Sequence, residues 1–338
     1  MDMWDLADLG WTAHQQQQFE DGAGMPARIT AVDRDRLSAL SVEGEHVLHP
    51  PPGLSTGEIA VGDWGIARGA HVVRVLERKT QLSRRAAGTD ARVQLIAANV
   101  DLLAIVSSCN ADFNVPRLER YLALAASSGV MPLIVLTKAD QSDDPGTYRR
   151  QAEALSDLAM VEVIDARDPH QVAGIAAWMR PGQTLALVGS SGVGKTTIMN
   201  GLTGAGAETA DIREDDAKGR HTTTRRNLVR ATGGFWILDM PGMRALRLAE
   251  AGAGIDEVFA DIADLAGACR FSDCGHETEP GCAVQAAVAA GDLDAGRLER
   301  WRKLQREDLR NSETIAEARA RDRAFGKKVR RAMEAKQR

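Results

Sequence analysis

No apolar run in this 338-residue chain approaches the ~18 residues that a membrane-crossing helix needs. The first residues are acidic and glutamine-rich, unlike the basic and then apolar pattern of a secretory signal. Cysteine is scarce. There are four, three of them clustered, which argues for a metal site in a reducing compartment rather than a disulfide framework. These absences predict a soluble, cytoplasmic protein without membrane partners. An overall basic excess is missing too, because the formal net charge is -5. Its distribution is uneven, however. Residues 297–338 carry 15 Lys and Arg against 7 Asp and Glu, so a basic arm that could meet phosphate closes an otherwise acidic chain. With 44% hydrophobic residues, two or three domains can each bury a core.

The pattern along the chain predicts a multidomain protein. Residues 1–25 read as a flexible leader with little to bury, marked by Gln15 to Gln18 and by Gly22 and Gly24. Over 26–90 come short β-rich runs such as Arg28 to Val32 and His71 to Leu76, punctuated at Pro50 to Gly53 and Gly62 to Gly65. They suit a small barrel, either an oligonucleotide-binding (OB) fold or an SH3-like one. From 91 to 250 strands and helices alternate, as in a doubly wound α/β domain. Leu102 to Val106 and Leu133 to Leu136 are continuous apolar runs, the signature of buried parallel strands. Residues 251–338 turn helical around the cysteine cluster, with charged helices expected at Leu293 to Arg310 and Glu313 to Lys336.

The chemistry lies in two motifs in an unusual order. Gly189-Ser190-Ser191-Gly192-Val193-Gly194-Lys195-Thr196 fits the phosphate-loop pattern and sits between a predicted strand and a predicted helix. Its glycines let backbone N–H groups turn toward phosphates. Lys195 would reach the β- and γ-phosphates, and Thr196 would place its hydroxyl on Mg²⁺. Thr197 comes next as a further phosphate contact. Thr137-Lys138-Ala139-Asp140 follows a buried strand and is the candidate guanine reader. The Asp140 carboxylate can accept from both the ring N–H and the exocyclic amine, whereas adenine would meet it lone pair to lone pair. Ala166, after a later strand, is the candidate second base contact through its backbone. The base reader precedes the phosphate loop, the reverse of the Ras-like order. The switch segments therefore end the nucleotide domain and lead straight into the C-terminal domain, to which the nucleotide state can be handed.

After the strand Phe235 to Leu238, Asp239 is the candidate outer Mg²⁺ partner, and the Gly242 N–H the candidate γ-phosphate sensor. The next residue lacks the glutamine that orients water in Ras-like enzymes. It is Met243, so hydrolysis is either slow or served by another group. Gly219 to Thr224 occupies the switch I place. Thr223 would close on Mg²⁺ and γ-phosphate, and His221 is the nearest polar residue for positioning water, with a solvated loop histidine as the alternative. Cys269, Cys274, His276 and Cys282 fall within 14 residues. Three thiols and an imidazole form a zinc set that leaves no open position, hence a structural ion. Cys109 stands apart, at a buried strand end.

Together these pieces resemble the circularly permuted small-ribosomal-subunit biogenesis GTPases known as RsgA or YjeQ. The resemblance covers about residues 26–310 and rests on four features: Gly62-Asp63-Trp64, the permuted motif order, Gly219 to Thr224, and the cysteine and histidine set. It implies an OB-fold barrel, a permuted P-loop GTPase domain and a C-terminal α-helical zinc domain. It also implies a late maturation factor of the 30S subunit, in contact with 16S rRNA, that binds GTP and GDP with magnesium and is stimulated by the subunit. Catalysis through His221 is part of what it implies. The chain departs from the pattern at Thr137 for Asn, Asp165 for Ser, Thr196-Thr197 for Ser-Ser, and Met240 for Thr. A monomer is the default expectation.

Two rival readings are an RNA-binding module gated by nucleotide, which Met243 favours, and an enzyme that uses GTP only as a switch. No nucleophile or open metal site supports the second. The charged C-terminal helices also have a plain reading as solvated surface.

Overall fold

The structure, a computed structural model, describes residues 4–85, 93–204, 227–239 and 251–311. By its contacts the chain divides into two compact units: Met1–Leu82 with Leu95–Ala245, and Ser83–Gln94 with Leu246–Arg338. The sequence-predicted domain boundary at 90 falls outside the described residues, between strands that pair with each other.

The first unit opens with five short strands, β1 (Met25–Val32), β2 (Leu37–Ser41), β3 (Gly44–Leu48), β4 (Trp64–Arg68) and β5 (His71–Val75). They form one antiparallel sheet in the order β3-β2-β1-β4-β5. A parallel bridge between His49 and His71 joins the two outer strands, carried by His49 N–H to Ala70 O at 2.8 Å and Val72 N–H to His49 O at 2.9 Å. Ala27, Ile29, Leu37, Ala39, Leu48, Ile59, Ala67 and Val72 fill the space inside. Strands β6 (Gln81–Arg85) and β7 (Val93–Ala98) pair as a separate ribbon.

The Gly62-Asp63-Trp64 sequence has a physical basis. Gly62 has φ +92°, and a Cβ there would lie 2.1 Å from the Ala98 carbonyl oxygen, so only glycine fits. Asp63 is fully buried and is held by Arg78 through two contacts, Nε to Oδ1 at 2.7 Å and Nη2 to Oδ2 at 2.8 Å. Its Oδ2 also accepts the Ala60 N–H at 2.8 Å. Trp64 is buried and meets Trp11 edge to face at 4.9 Å.

The rest of the unit is a six-stranded sheet, built from β8 (Leu102–Ser108), β9 (Met131–Thr137), β10 (Met160–Val163), β11 (Thr184–Gly189), β12 (Asn227–Arg230) and β13 (Trp236–Asp239). Its order is β10-β9-β8-β11-β13-β12, parallel throughout except for β12. Every residue of β8 and β11 is buried, as expected of central strands covered on both faces. After the short leader helix α1 (Ala13–Gln16), helices α2 (Val115–Ser127) and α3 (Pro145–Glu153) pack against β8, β9 and β10. Val172 and Ile175 of α4 (Pro169–Ala176), with Ile198, Met199 and Leu202 of α5 (Lys195–Thr203), belong to the core built on β8, β9, β11 and β13. Asn114 caps α2 by accepting the Arg117 N–H at 2.9 Å, and Pro116 suits its first turn. The chain leaves β8 toward β9 and β10, then returns to β11 on the other side of β8. That reversal is where ligands bind in open α/β sheets, at the carboxyl ends of the strands.

Residues 4–24, expected to be a loose leader, are packed into this unit. Their burial comes from partners distant in sequence. Leu9 is fully buried. Trp4 lies against Trp236 at 5.6 Å, with the Arg230 guanidinium 4.1 Å from its ring centre. Trp236 Nε1 donates to Asp8 O at 2.8 Å. The buried Arg28 of β1 donates to Leu9 O at 2.6 Å and to the Thr184 hydroxyl, so it ties the leader and the two sheets together. Burial pulls the Arg28 pKa down to about 10, against the opposing charge of Asp101.

In the second unit, helices Gly252–Val258, Ala260–Gly267 and Ala283–Ala290 precede a helix described over 295–311. Ile255, Val258, Phe259, Ile262, Val284, Leu293, Leu298 and Leu304 are among its buried apolar residues. Arg297 grips Asp261 with contacts of 2.7 and 2.9 Å, and its guanidinium lies 4.7 Å from the Phe259 ring centre. The Asp308 carboxylate accepts the Ala251 N–H at 2.9 Å, at the start of the first helix. The expected helix Glu313 to Lys336 lies outside the described residues. Among the described residues no helix is long and apolar enough to cross a membrane.

Candidate functional site

The phosphate-loop sequence begins at the last residue of β11 and ends at the first turn of α5. Gly189 must be glycine: it has φ +140°, and a Cβ would meet the Val106 oxygen of neighbouring β8 at 2.1 Å. Gly192 (φ +79°) and Gly194 (φ +98°) complete the turn. Gly194 caps α5 without a side chain, so the first N–H groups of the helix are left to whatever sits before them. Lys195 Nζ donates to Gly189 O at 2.9 Å and to Ser190 O, so its charge lies folded over the loop.

The sequence expected to read guanine comes to the same place from β9. Thr137 ends that strand, fully buried. Its hydroxyl donates to Val193 O in the phosphate loop at 2.6 Å and stands 3.1 Å from Ser107 O. The Thr137 hydroxyl therefore ties the end of β9 directly to the phosphate loop. Lys138 adopts the left-handed region (φ +58°), an uncommon conformation for a residue with a side chain, and starts the 3₁₀ turn Ala139–Gln141 that carries Asp140. Ala166 comes after β10, and its Cβ would stand 3.7 Å from one built on Gly194.

Thr137, Lys138, Asp140, Ala166, Ser191, Gly192, Gly194, Lys195, Thr196 and Thr197 thus line one open cavity of about 340 Å³, with Gln141, Asp165 and Arg167. Gly189, Ser190 and Val193 belong to the loop that carries the others, and Ala139 to the turn that carries Asp140. That volume lies in the range of small-molecule sites. Asp239 ends β13 with its backbone paired to Leu187 of β11. His221, Thr223, Gly242 and Met243 lie outside the described residues. Sequence reading missed Arg167, which donates to Asp140 at 2.5 Å and to Asp165 at 3.2 and 3.3 Å. Its guanidinium, then its backbone N–H, holds the Asp165 carboxyl below the usual range. The available signal was a cation directly after Ala166.

In the second unit the four expected metal ligands converge. One ligand atom from each of Cys269, Cys274, His276 and Cys282 lies within 4.8 Å of the others. His276 Nδ1 is 3.5 Å from both Cys269 Sγ and Cys282 Sγ, and those two sulfurs are 3.8 Å apart. A tetrahedral zinc ion at ~2.3 Å from sulfur and ~2.05 Å from nitrogen gives edges of about 3.8 and 3.6 Å. The donor set fits that ion. Burial, then the positive Arg302, keeps His276 below its ordinary pKa and so neutral, the form that ligates. Burial and the other two thiols push Cys274 up to about 11, an opposition that a divalent cation relieves. His276 itself takes the left-handed region (φ +58°), and its carbonyl accepts Gln285 Nε2 at 2.5 Å and an Arg302 N–H. Cys282 caps the helix Ala283–Ala290, with the Gln285 N–H 3.4 Å from its sulfur. The Glu279 carboxylate accepts backbone N–H groups of Gly275, Glu277 and Thr278 at 2.8 to 3.0 Å and so closes the loop. Cys109 belongs to the first unit and is buried just after β8, its thiol pushed up by burial.

A family model described as RsgA GTPase matches residues 75–249. The chain is 52% identical over 315 residues to the small ribosomal subunit biogenesis GTPase RsgA of Mesorhizobium japonicum, covering 91% of each. It is 44% identical over 336 residues to the protein of that name numbered 2 in Vibrio parahaemolyticus, covering 97% of this chain and 92% of the relative. Among solved structures it resembles YjeQ from Thermotoga maritima, with a TM-score of 0.62 and 23% identity over 84% of this chain and 98% of the other. It also resembles YloQ, described as a circularly permuted GTPase, with a TM-score of 0.57 and 24% identity over 84% and 94% of the two chains.

Proposed function

Because the chain belongs to the RsgA GTPase family, and is accordingly a GTP-hydrolysing enzyme, we propose that it binds the small ribosomal subunit and assists its late maturation in the cytoplasm, with hydrolysis stimulated by that subunit. The observation that carries this reading is the single cavity, at the point where the sheet order reverses, that collects the phosphate loop and the base reader from opposite orders in sequence. In this reading Asp140 accepts the guanine edge, with the Ala166 backbone beside the base. The loop from Gly189 to Thr196 takes the phosphates. Lys195 moves from the loop carbonyls onto the β- and γ-phosphates, and Thr197 adds a further contact. Magnesium, bound with GTP, neutralises phosphate charge, with Thr196, Thr223 and Asp239 as its partners.

The five-stranded sheet, its outer strands joined at His49 and His71, is read as an OB-fold barrel. With the zinc-stabilised helical unit it would grip 16S rRNA, the barrel by stacking and backbone contact and the basic residues of the last helix by phosphate contact. His221 is the proposed water-positioning group, since Met243 stands in the glutamine's place. That same methionine favours a second reading, a nucleotide-gated RNA-binding module that barely turns over.

Turnover of GTP by the full chain, alone and with mature 30S subunits, separates the two. Stimulation of about tenfold or more is expected, because the subunit completes a site without its own glutamine; a missing water-positioning group is worth orders of magnitude in rate. Tight GTP binding with no stimulation supports the gated module instead.

A further inference from the structure

Asp140 has two carboxylate oxygens, and the guanine edge requires both, one for the ring N–H and one for the exocyclic amine. In the structure one is already taken. Arg167 Nη2 donates to Asp140 Oδ2 at 2.5 Å. A guanidinium offers N–H donors in a planar fork, the same donor pattern that the guanine edge presents. Arg167 also has a second hold. Its backbone N–H reaches Asp165 Oδ1 at 2.9 Å, its Nε reaches the same oxygen at 3.2 Å, and its Nη2 reaches Oδ2 at 3.3 Å. Leaving Asp140 therefore does not strand the cation. It stays on Asp165, at the rim of the same cavity. The aspartate at 165, which departs from the serine of the sequence pattern, supplies this anchor.

We propose that Arg167 is a built-in stand-in for guanine, which occupies Asp140 until an incoming base displaces it, and so sets the nucleotide affinity. This rests on the reading of Asp140 as the base acceptor. The Arg167 and Asp140 side chains are 66% and 27% exposed, which limits the competition to that of a surface ion pair. The consequence is a weaker hold on nucleotide than the pocket alone would give, which eases release of the product.

The test is the dissociation constant for GDP, measured by calorimetry on the full chain. Arg167→Ala and Arg167→Gln are compared with the parent, each at low and moderate salt, alone and combined with Asp140→Asn. Both single variants are expected to bind GDP about two- to fivefold more tightly than the parent. The advantage should shrink as salt rises, because the screened parent loses its competitor. Combined with Asp140→Asn, either Arg167 change is expected to leave the constant unmoved, a result that loss of mere structural support would not give. Unchanged or weaker GDP binding by both Arg167 variants, with Asp140→Asn still weakening it, overturns the stand-in alone. If Asp140→Asn leaves GDP binding intact, the base-acceptor reading falls and the stand-in falls with it.

Discussion

The nucleotide pocket and the metal cluster are built in opposite ways. The pocket draws on residues from 137 to 197, delivered by the ends of three parallel strands, of which β9 and β11 are almost wholly buried and β10 half-buried. Its shape is a by-product of a core that exists without any ligand. The metal cluster draws on 14 consecutive residues, in a loop between two short helices. Only Cys282 and His276 of that set are buried, and the loop between Cys269 and Cys282 adds no large side chain to the core. One site is positioned by hydrophobic burial; at the other, a zinc ion held by the four ligands would stand in for it.

The largest test of that contrast is Cys282→Ser. Structural zinc contributes about 10–16 kcal/mol in small zinc domains, more than a unit of this size has in reserve. The expected outcome is loss of bound zinc and of helical signal from the second unit, read by metal analysis and circular dichroism. GDP affinity of the first unit should stay within about twofold, since every residue that lines its pocket belongs to that unit. A variant that loses zinc yet keeps its helices would erase the contrast. It would mean that Ile255, Phe259, Ile262 and Leu298 suffice as a core.

The first unit has a polar clasp of its own, and removing it gives a middle-sized effect. Asp63 is inaccessible to solvent and Arg78 is its only charged partner among the described residues. Arg78→Ala strands a buried carboxylate, at about 3 kcal/mol. A fall in denaturant midpoint of the first unit with zinc content unchanged is the expected result. An unaltered midpoint would show that water reaches Asp63 and that the clasp is ornamental.

These contrasts also explain what could be read from sequence. Leu102 to Val106 and Leu133 to Leu136 announced buried strands because both their faces are covered, which leaves no alternation to misread. The phosphate loop and the metal ligands were legible because their spacing is local. The leader was not. Trp4, Leu9 and Trp11 carry no periodicity, and their burial comes from Trp236, Arg28 and Trp64, far along the chain. Arg167 escaped for the same reason, since its partner Asp140 lies 27 residues away on another strand end. The trio Gly62-Asp63-Trp64 stood out as a signature, but its cause, the close approach of Ala98 and the reach of Arg78, needs the folded chain.

The smallest predicted effect probes how far the pocket is really preformed. Thr137 has one proton to give, and the shorter of its two contacts is the Val193 oxygen at 2.6 Å. Thr137→Val keeps the shape and removes the donor. A buried neutral hydrogen bond is worth about 1 kcal/mol, so GDP binding should weaken about fivefold. Thr137→Ser, which keeps the hydroxyl, should stay close to the parent. If the valine variant binds as tightly as the parent, the sheet alone fixes the angle between base reader and phosphate loop. The pocket would then stand still further from the metal cluster, where each ligand is part of what holds the loop. If instead both variants weaken binding, the hydroxyl and the methyl of Thr137 both hold the junction with the phosphate loop, the methyl standing 3.5 Å from where a Cβ on Gly194 would lie.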